Sequence, residues 1–231
     1  MQPDDKIASW SLKNLPASTR QKDPGRMFPT EYLLRAFLSD SYFNTGMELT
    51  PDFRVLDIGC LYANNLVPFH ERGMSVHGVE VNEEMVALAE QNALKWTMNL
   101  DCREGRHSLI PFPADFFDIV LSVNAIHYED GQQGIDQSLA EMVRVGNSRC
   151  RCMIATAGAE HFFRENAVRK ASNCYRIEVD DFRNGQEMAY FDSMDHLKQT
   201  CERFFSKVET AEITEAYPAR RLQFWVAMCT I

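Results

Sequence analysis

Asp57 and Glu80 each follow a short apolar run at a point where the chain turns. A carboxylate in that position has acceptor sites enough for a vicinal diol, so Glu80 suits the two hydroxyls of a ribose. Asp57 opens the turn Asp57-Ile58-Gly59-Cys60. A negative charge there repels phosphate and favours a cationic ligand. Further on, His127-Tyr128 follows a third apolar run. An imidazole with an ordinary pKa of about 6.5 can remove a proton near neutrality, which makes His127 the best general-base candidate. Tyr128 can orient an acceptor oxygen. Arg176 and Arg183 can together hold an anionic group by bidentate hydrogen bonds. The plainer alternatives are a packed His127 and arginines paired with Asp180 and Asp181.

The elements that must position these groups are legible between Arg54 and Asn92. Val55-Leu56, closed by Gly59, reads as a buried strand. Asn64 to Arg72 reads as a helix stopped by Gly73. Ser75 to Val81 alternates as a second strand. Asn82 then caps a helix with Glu83 and Glu84 in its first turn and Met85, Ala89, Ala93 and Trp96 on one face. Such a strand-helix-strand-helix unit binds ligands beyond the carboxyl ends of its strands. A dinucleotide fingerprint would require G-x-G-x-x-G. Here Gly59-Cys60-Leu61-Tyr62-Ala63-Asn64 keeps only the first glycine.

Val55-Leu56-Asp57-Ile58-Gly59-Cys60 resembles the first motif, VLDxGCGxG, of the class I S-adenosylmethionine-dependent methyltransferases. The resemblance implies an α/β fold, a three-layer Rossmann-like sandwich. Its seven-stranded, mostly parallel sheet ends in a C-terminal antiparallel hairpin, and a lid insertion precedes the last helix. It implies S-adenosylmethionine as cofactor. Contacts then fall to Asp57, Gly59, Cys60, Leu61 and Asn65 around the first turn, and to Glu80 and Val81 after the second strand. Others fall to Arg106 and His107 after the third strand, and to Ser122 and Asn124 at the fourth. Leu61 stands at the family's second glycine, where its side chain crowds the cofactor. Arg106 replaces an acid, so an adenine contact is expected from backbone or from His107.

The rest of the chain follows in order. Asp23-Pro24-Gly25 is a turn, and Phe28 to Ser41 a helix with Leu33, Leu34, Phe37 and Leu38 on one face. Its Glu31 and Arg35 fit a P-x-E-x-x-x-R pattern that implies a place at the pocket; the alternative is an i,i+4 surface pair. Asn99–Glu104 and Asp115–Ser122 read as strands, Gly134–Val145 as a helix and Cys150–Ala157 as the fifth strand. Residues 158–192 interleave aromatic and charged residues. They are expected to form the substrate lid, with His161, Arg176, Arg183 and Tyr190 as substrate contacts. A helix over Ser193–Phe205 precedes strands at Lys207–Thr214 and Leu222–Cys229, with Tyr217-Pro218-Ala219 between them.

The 231 residues are expected to form one domain over 1–231, with residues 1–45 as a helical cap. The net charge of −9 argues against nucleic acid as main partner. Seven cysteines without a C-x-x-C spacing point to reduced thiols in a cytoplasmic protein rather than to a metal. The polar start and the lack of a long apolar run predict no membrane span. The expected function is methyl transfer to a small-molecule or sugar-like acceptor, at oxygen, by a monomer or homodimer. A degenerate member serving as a binding or regulatory partner is the alternative, motivated by Leu61 and Arg106. An NAD-type oxidoreductase is disfavoured by the missing glycines. Methylation of base or glutamine amino groups is disfavoured by Ser122-Val123-Asn124-Ala125, which lacks the Asn/Asp-Pro-Pro-aromatic motif.

Overall fold

The structure, a computed structural model, describes residues 10–14, 27–39, 41–180 and 183–231. The turn expected at Asp23-Pro24-Gly25, and Asp181, lie outside them. Five strands lead: β1 (Arg54–Ile58), β2 (Ser75–Glu80), β3 (Leu100–Glu104), β4 (Phe117–Val123) and β5 (Gly146–Ala157). Three short strands follow, β6 (Ala167–Ala171), β7 (Cys174–Ile177) and β8 (Glu187–Ala189), and then β9 (Lys207–Tyr217) and β10 (Arg220–Thr230). The helices are α1 (Glu31–Leu38), α2 (Val67–His70), α3 (Glu83–Leu94), α4 (Gly131–Val145), α5 (Phe162–Glu165) and α6 (Met194–Glu202). The main sheet has the order β3-β2-β1-β4-β5-β10-β9. β1 pairs in parallel with both β2 and β4, so the strand order reverses there. β10 runs antiparallel to β5 and β9.

Strand side chains alternate between faces, and both faces are covered. Val55, Ile119, Leu121 and Met153 pack toward Leu33, Phe37, Phe69 and Ala93 of α1–α3. Leu56, Val120 and Ile154 pack toward Ile135, Leu139 and Met142 of α4 and Leu197 of α6. Here the expected three layers are borne out. Asn82 caps α3, its side chain accepting from the Met85 N–H at 3.0 Å, a contact worth about 1 kcal/mol.

Local differences have physical reasons. The helix expected over Asn64–Arg72 divides into a 3-10 turn, Asn64–Leu66, and α2, with Pro68 within α2's first turn. Proline donates no N–H and suits a helix start. β5 starts at Gly146, which pairs with Phe117 of β4, and the hairpin strands run longer than expected because β10 pairs with β9 along its whole length. Between β5 and α6, residues beyond Gly158 build a separate three-stranded antiparallel sheet, β6-β7-β8.

Candidate active site

A cavity of about 640 Å³ opens beyond the carboxyl ends of β1, β2 and β4, at the reversal of strand order. Its floor begins with the turn after β1. Gly59 has φ +74°, and an added Cβ would stand 2.8 Å from the Cβ of Ala125. Leu61 and Ala63, where the resemblance expects glycines, hold the left-handed backbone regardless, at φ +46° and +54°. That conformation costs a non-glycine residue roughly 1–2 kcal/mol. One return is visible. The Leu61 N–H donates to Glu80 Oε1 at 2.6 Å, and the Val81 N–H to Oε2 at 3.3 Å. The turn thereby fixes the carboxylate of β2.

Asp57 and Glu80 are both buried, 1% and 5% exposed. Neither Asp57 oxygen has a hydrogen-bond partner. Burial, then the Glu80 charge, pushes the Asp57 carboxyl up to about 8, opposed by the Asn65 amide. Burial likewise raises Glu80 to about 7, opposed by the Leu61 and Val81 N–H groups. The pair is a trap for positive charge and for hydrogen-bond donors, either of which would restore the ionised forms. Asn124, at φ +57° after β4, adds a third unmet acceptor. Its Nδ2 donates to Tyr32 Oη at 3.3 Å, while its buried Oδ1 has no partner.

Much of the remaining cavity wall is built from rings. His127, on the 3-10 turn Ile126–Tyr128, is 3% exposed. Burial first, and then the neighbouring His161, Arg183 and His107, lower its pKa to about 3. The imidazole is therefore neutral at pH 7. Thr156 Oγ1 lies 3.4 Å from its Nδ1. Trp10 meets Tyr128 edge-on at 5.1 Å. Its carbonyl accepts from Asn82 Nδ2 at 2.9 Å, and the Leu12 N–H donates to Glu84 Oε1 at 3.0 Å. The N-terminal segment is thus strapped to the head of α3. His161 caps α5 through the Phe163 N–H and stacks on Phe162 at 4.9 Å. Arg183 donates to Tyr128 Oη at 3.2 Å and lies 4.7 Å over the Phe163 ring.

Gly59, Cys60, Leu61, Asn65, Glu80, Val81, Arg106, His107, Asn124, His127, Tyr128, His161 and Arg183 all line this one cavity. Asp57 and Ser122 are buried behind the wall, Ser122 Oγ holding His107 Nε2 at 2.8 Å. Four expected contacts are not brought there. Glu31 and Arg35 form an exposed i,i+4 ion pair on α1, whose buried face carries Tyr32, Leu33 and Phe37 instead. Arg176 pairs with Glu178 at 3.0 Å, well exposed. Tyr190 is fully buried with Ile177 and Met188, behind His127 at 5.5 Å. The cavity also takes in Trp10, Thr30, Phe162, Phe163 and Phe224. The run His161-Phe162-Phe163 advertised two of these. Phe224, inside an apolar strand, carried no distinguishing signal. Among the described residues, no cluster of His, Cys, Asp or Glu could hold a metal ion, and no helix is long and apolar enough to cross a membrane.

Residues 55–148 match a family described as methyltransferase domain. An uncharacterized protein of Mycobacterium tuberculosis is 24% identical over 98 residues, covering 42% of this chain and 36% of that protein. A chain spanning so little of its curated relative's length shares only that stretch with it. Among solved structures, a SAM-dependent methyltransferase from Methanosarcina mazei is similar with a TM-score of 0.66 at 16% identity, covering 79% of this chain and 94% of that one. The 1,6-didemethyltoxoflavin-N1-methyltransferase of Burkholderia thailandensis, solved with 1,6-didemethyltoxoflavin and S-adenosylhomocysteine bound, has a TM-score of 0.61 at 16% identity, covering 99% and 87%. At such identities the likeness is one of fold.

Proposed function

We propose that this chain, whose residues 55–148 form a methyltransferase domain on the class I S-adenosylmethionine-dependent fold, binds S-adenosylmethionine and methylates a small-molecule acceptor at oxygen. The observation that carries the reading is the buried pair Asp57 and Glu80. It lies at the ends of β1 and β2 under the cavity, with both Asp57 oxygens unmet. Bound there, the cofactor supplies an electrophilic methyl group on a sulfonium, along with an ammonium group and a ribose diol. Those are the cation and the donors that this floor lacks. Glu80, held by two backbone N–H groups, is aimed for the diol. Asp57, behind the turn, favours positive charge near Gly59–Leu61 by its field. Asn124 Oδ1 offers a further acceptor.

The acceptor side supplies His127. An imidazolium with a pKa of about 3 is a strong acid, so neutral His127 takes no proton from a resting hydroxyl. As the attacking oxygen gains its new bond it becomes an oxonium, more acidic still, and the proton then passes to the imidazole. Alignment of the two reactants supplies the larger part of the rate. The similar Burkholderia thailandensis enzyme, which holds a small heterocycle, supports a small acceptor, as does the net charge of −9.

Calorimetric titration with S-adenosylmethionine and with S-adenosylhomocysteine tests the reading. Micromolar binding of both is expected. Silence from both would defeat the enzyme reading and favour a non-catalytic partner role, for which the Leu61 side chain at the cavity wall is the specific motive.

A further inference from the structure

The geometry points to a planar, hydroxylated aromatic or heteroaromatic acceptor, seated among the rings of Trp10, Tyr128, Phe162, Phe163 and Phe224, in preference to a sugar. This inference rests on the cofactor reading above and narrows it.

The five rings come from four separate parts of the chain: the N-terminal strap, the turn after β4, α5 and β10. They line one cavity, where Trp10, anchored through its carbonyl on Asn82 beyond the end of β2, meets the Tyr128 ring. Phe162 and Phe163 lie 4.1 Å apart, His161 stacks on Phe162, and Phe224 stands 5.2 Å from His161. Apolar faces and ring edges at these spacings favour another ring in offset or edge contact. A sugar brings a hydroxyl on nearly every carbon, and each one buried without a partner is costly. Among the polar atoms beside the rings, Tyr128 Oη and Arg183 Nε bond each other and His161 Nδ1 caps α5, while Glu129 and Asp130 line the cavity next to Tyr128.

Proton chemistry agrees. His127 is a weak base. A ring hydroxyl, with a pKa near 10 as in tyrosine, gives up its proton far more readily than an aliphatic one.

The test has two stages. S-adenosylhomocysteine is first titrated into the full-length protein by calorimetry. The loaded protein is then titrated with phenol, 7-hydroxycoumarin, 3-hydroxyflavone and methyl glucoside. At least one aromatic should bind and the glucoside should not. Phe162→Ala and Phe163→Ala should each weaken the aromatic by roughly three- to tenfold, with S-adenosylhomocysteine affinity and circular dichroism unchanged. Normal S-adenosylhomocysteine binding with all three aromatics silent, with the glucoside tighter, or with both variants indifferent, would overturn the aromatic inference and leave the cofactor reading standing. Failure of S-adenosylhomocysteine itself to bind would overturn both.

Discussion

The two sides of the cavity are made in different ways. The floor under β1 and β2 is built from strand ends, tight turns and backbone N–H groups, with Glu80 pinned by its neighbours and Asp57 sealed beneath. The ring wall is built from side chains on a strap, a one-turn helix and a hairpin strand. Backbone geometry is inherited with the sheet, whereas a ring can be exchanged without disturbing any ladder. On the reading proposed above, the floor serves what the fold does in general, and the ring wall what this chain does in particular.

That division can be broken by substitution. The largest effect is expected for Glu80→Ala and Asp57→Ala. Each should weaken S-adenosylmethionine binding by an order of magnitude or more, as loss of a buried charged partner does. Calorimetry showing both unchanged would mean that the floor is not the cofactor site. His127→Ala is expected to lower turnover about 10- to 100-fold and to leave cofactor affinity alone; a fallen affinity would blur the two sides into one. Leu61→Gly removes a side chain from the cavity wall and should tighten the cofactor several-fold by calorimetry, because the crowding disappears.

The ligand-free protein offers a test by pH. Asp57 and Glu80 have folded pKa values, about 8 and 7, above those of an unfolded carboxyl. The native state therefore holds their protons longer, and the stability they contribute is present in acid and lost as pH rises through 7 and 8. Buried neutral His107 and His127 work in the opposite sense. Their folded values, about 3, lie below that of an unfolded imidazole, so their contribution is lost as pH falls below about 6.5. The thermal midpoint should decline from pH 6.5 to 8.5, and Asp57→Asn should flatten that decline. A midpoint rising over this interval would refute the raised carboxyls. The smallest effect is expected for Arg35→Ala: stability within about 0.5 kcal/mol by denaturant titration and unchanged cofactor affinity, since the Glu31 pair is exposed.

The sheet was readable because its signals are local. Gly59, Glu80 and the Asn82 cap each announce a strand end or a helix start within a few residues, and the pairing of β9 with β10 follows from the short Pro218-Ala219 turn. Alternation along β1 and β4 then assigns two packed faces. The ring wall was less readable because it is assembled from distant parts. Trp10 meets Tyr128 only through a strap anchored on α3, and a single tryptophan in a polar stretch does not say where it lands. Glu31 and Arg35 follow the alternative read beside the motif, an i,i+4 surface pair, because their helix turns its apolar face inward and leaves the charges outside. Tyr190, just past β8, and Arg176, on β7, could not be told apart in the sequence because alternation on such short strands is not visible among so many charged neighbours. The former ended inside and the latter outside.

All seven cysteines are unbridged, and six of them are buried; Cys174, on β7 of the small sheet, is the exception. Thiol reagents act on the accessible sulfur first. The natural sequence thus presents one preferred attachment point for a maleimide dye, on the segment that borders the ring wall, without any mutation. Emission from a dye on Cys174 would report, from one labelled position, whether that small sheet changes its surroundings when a ligand arrives.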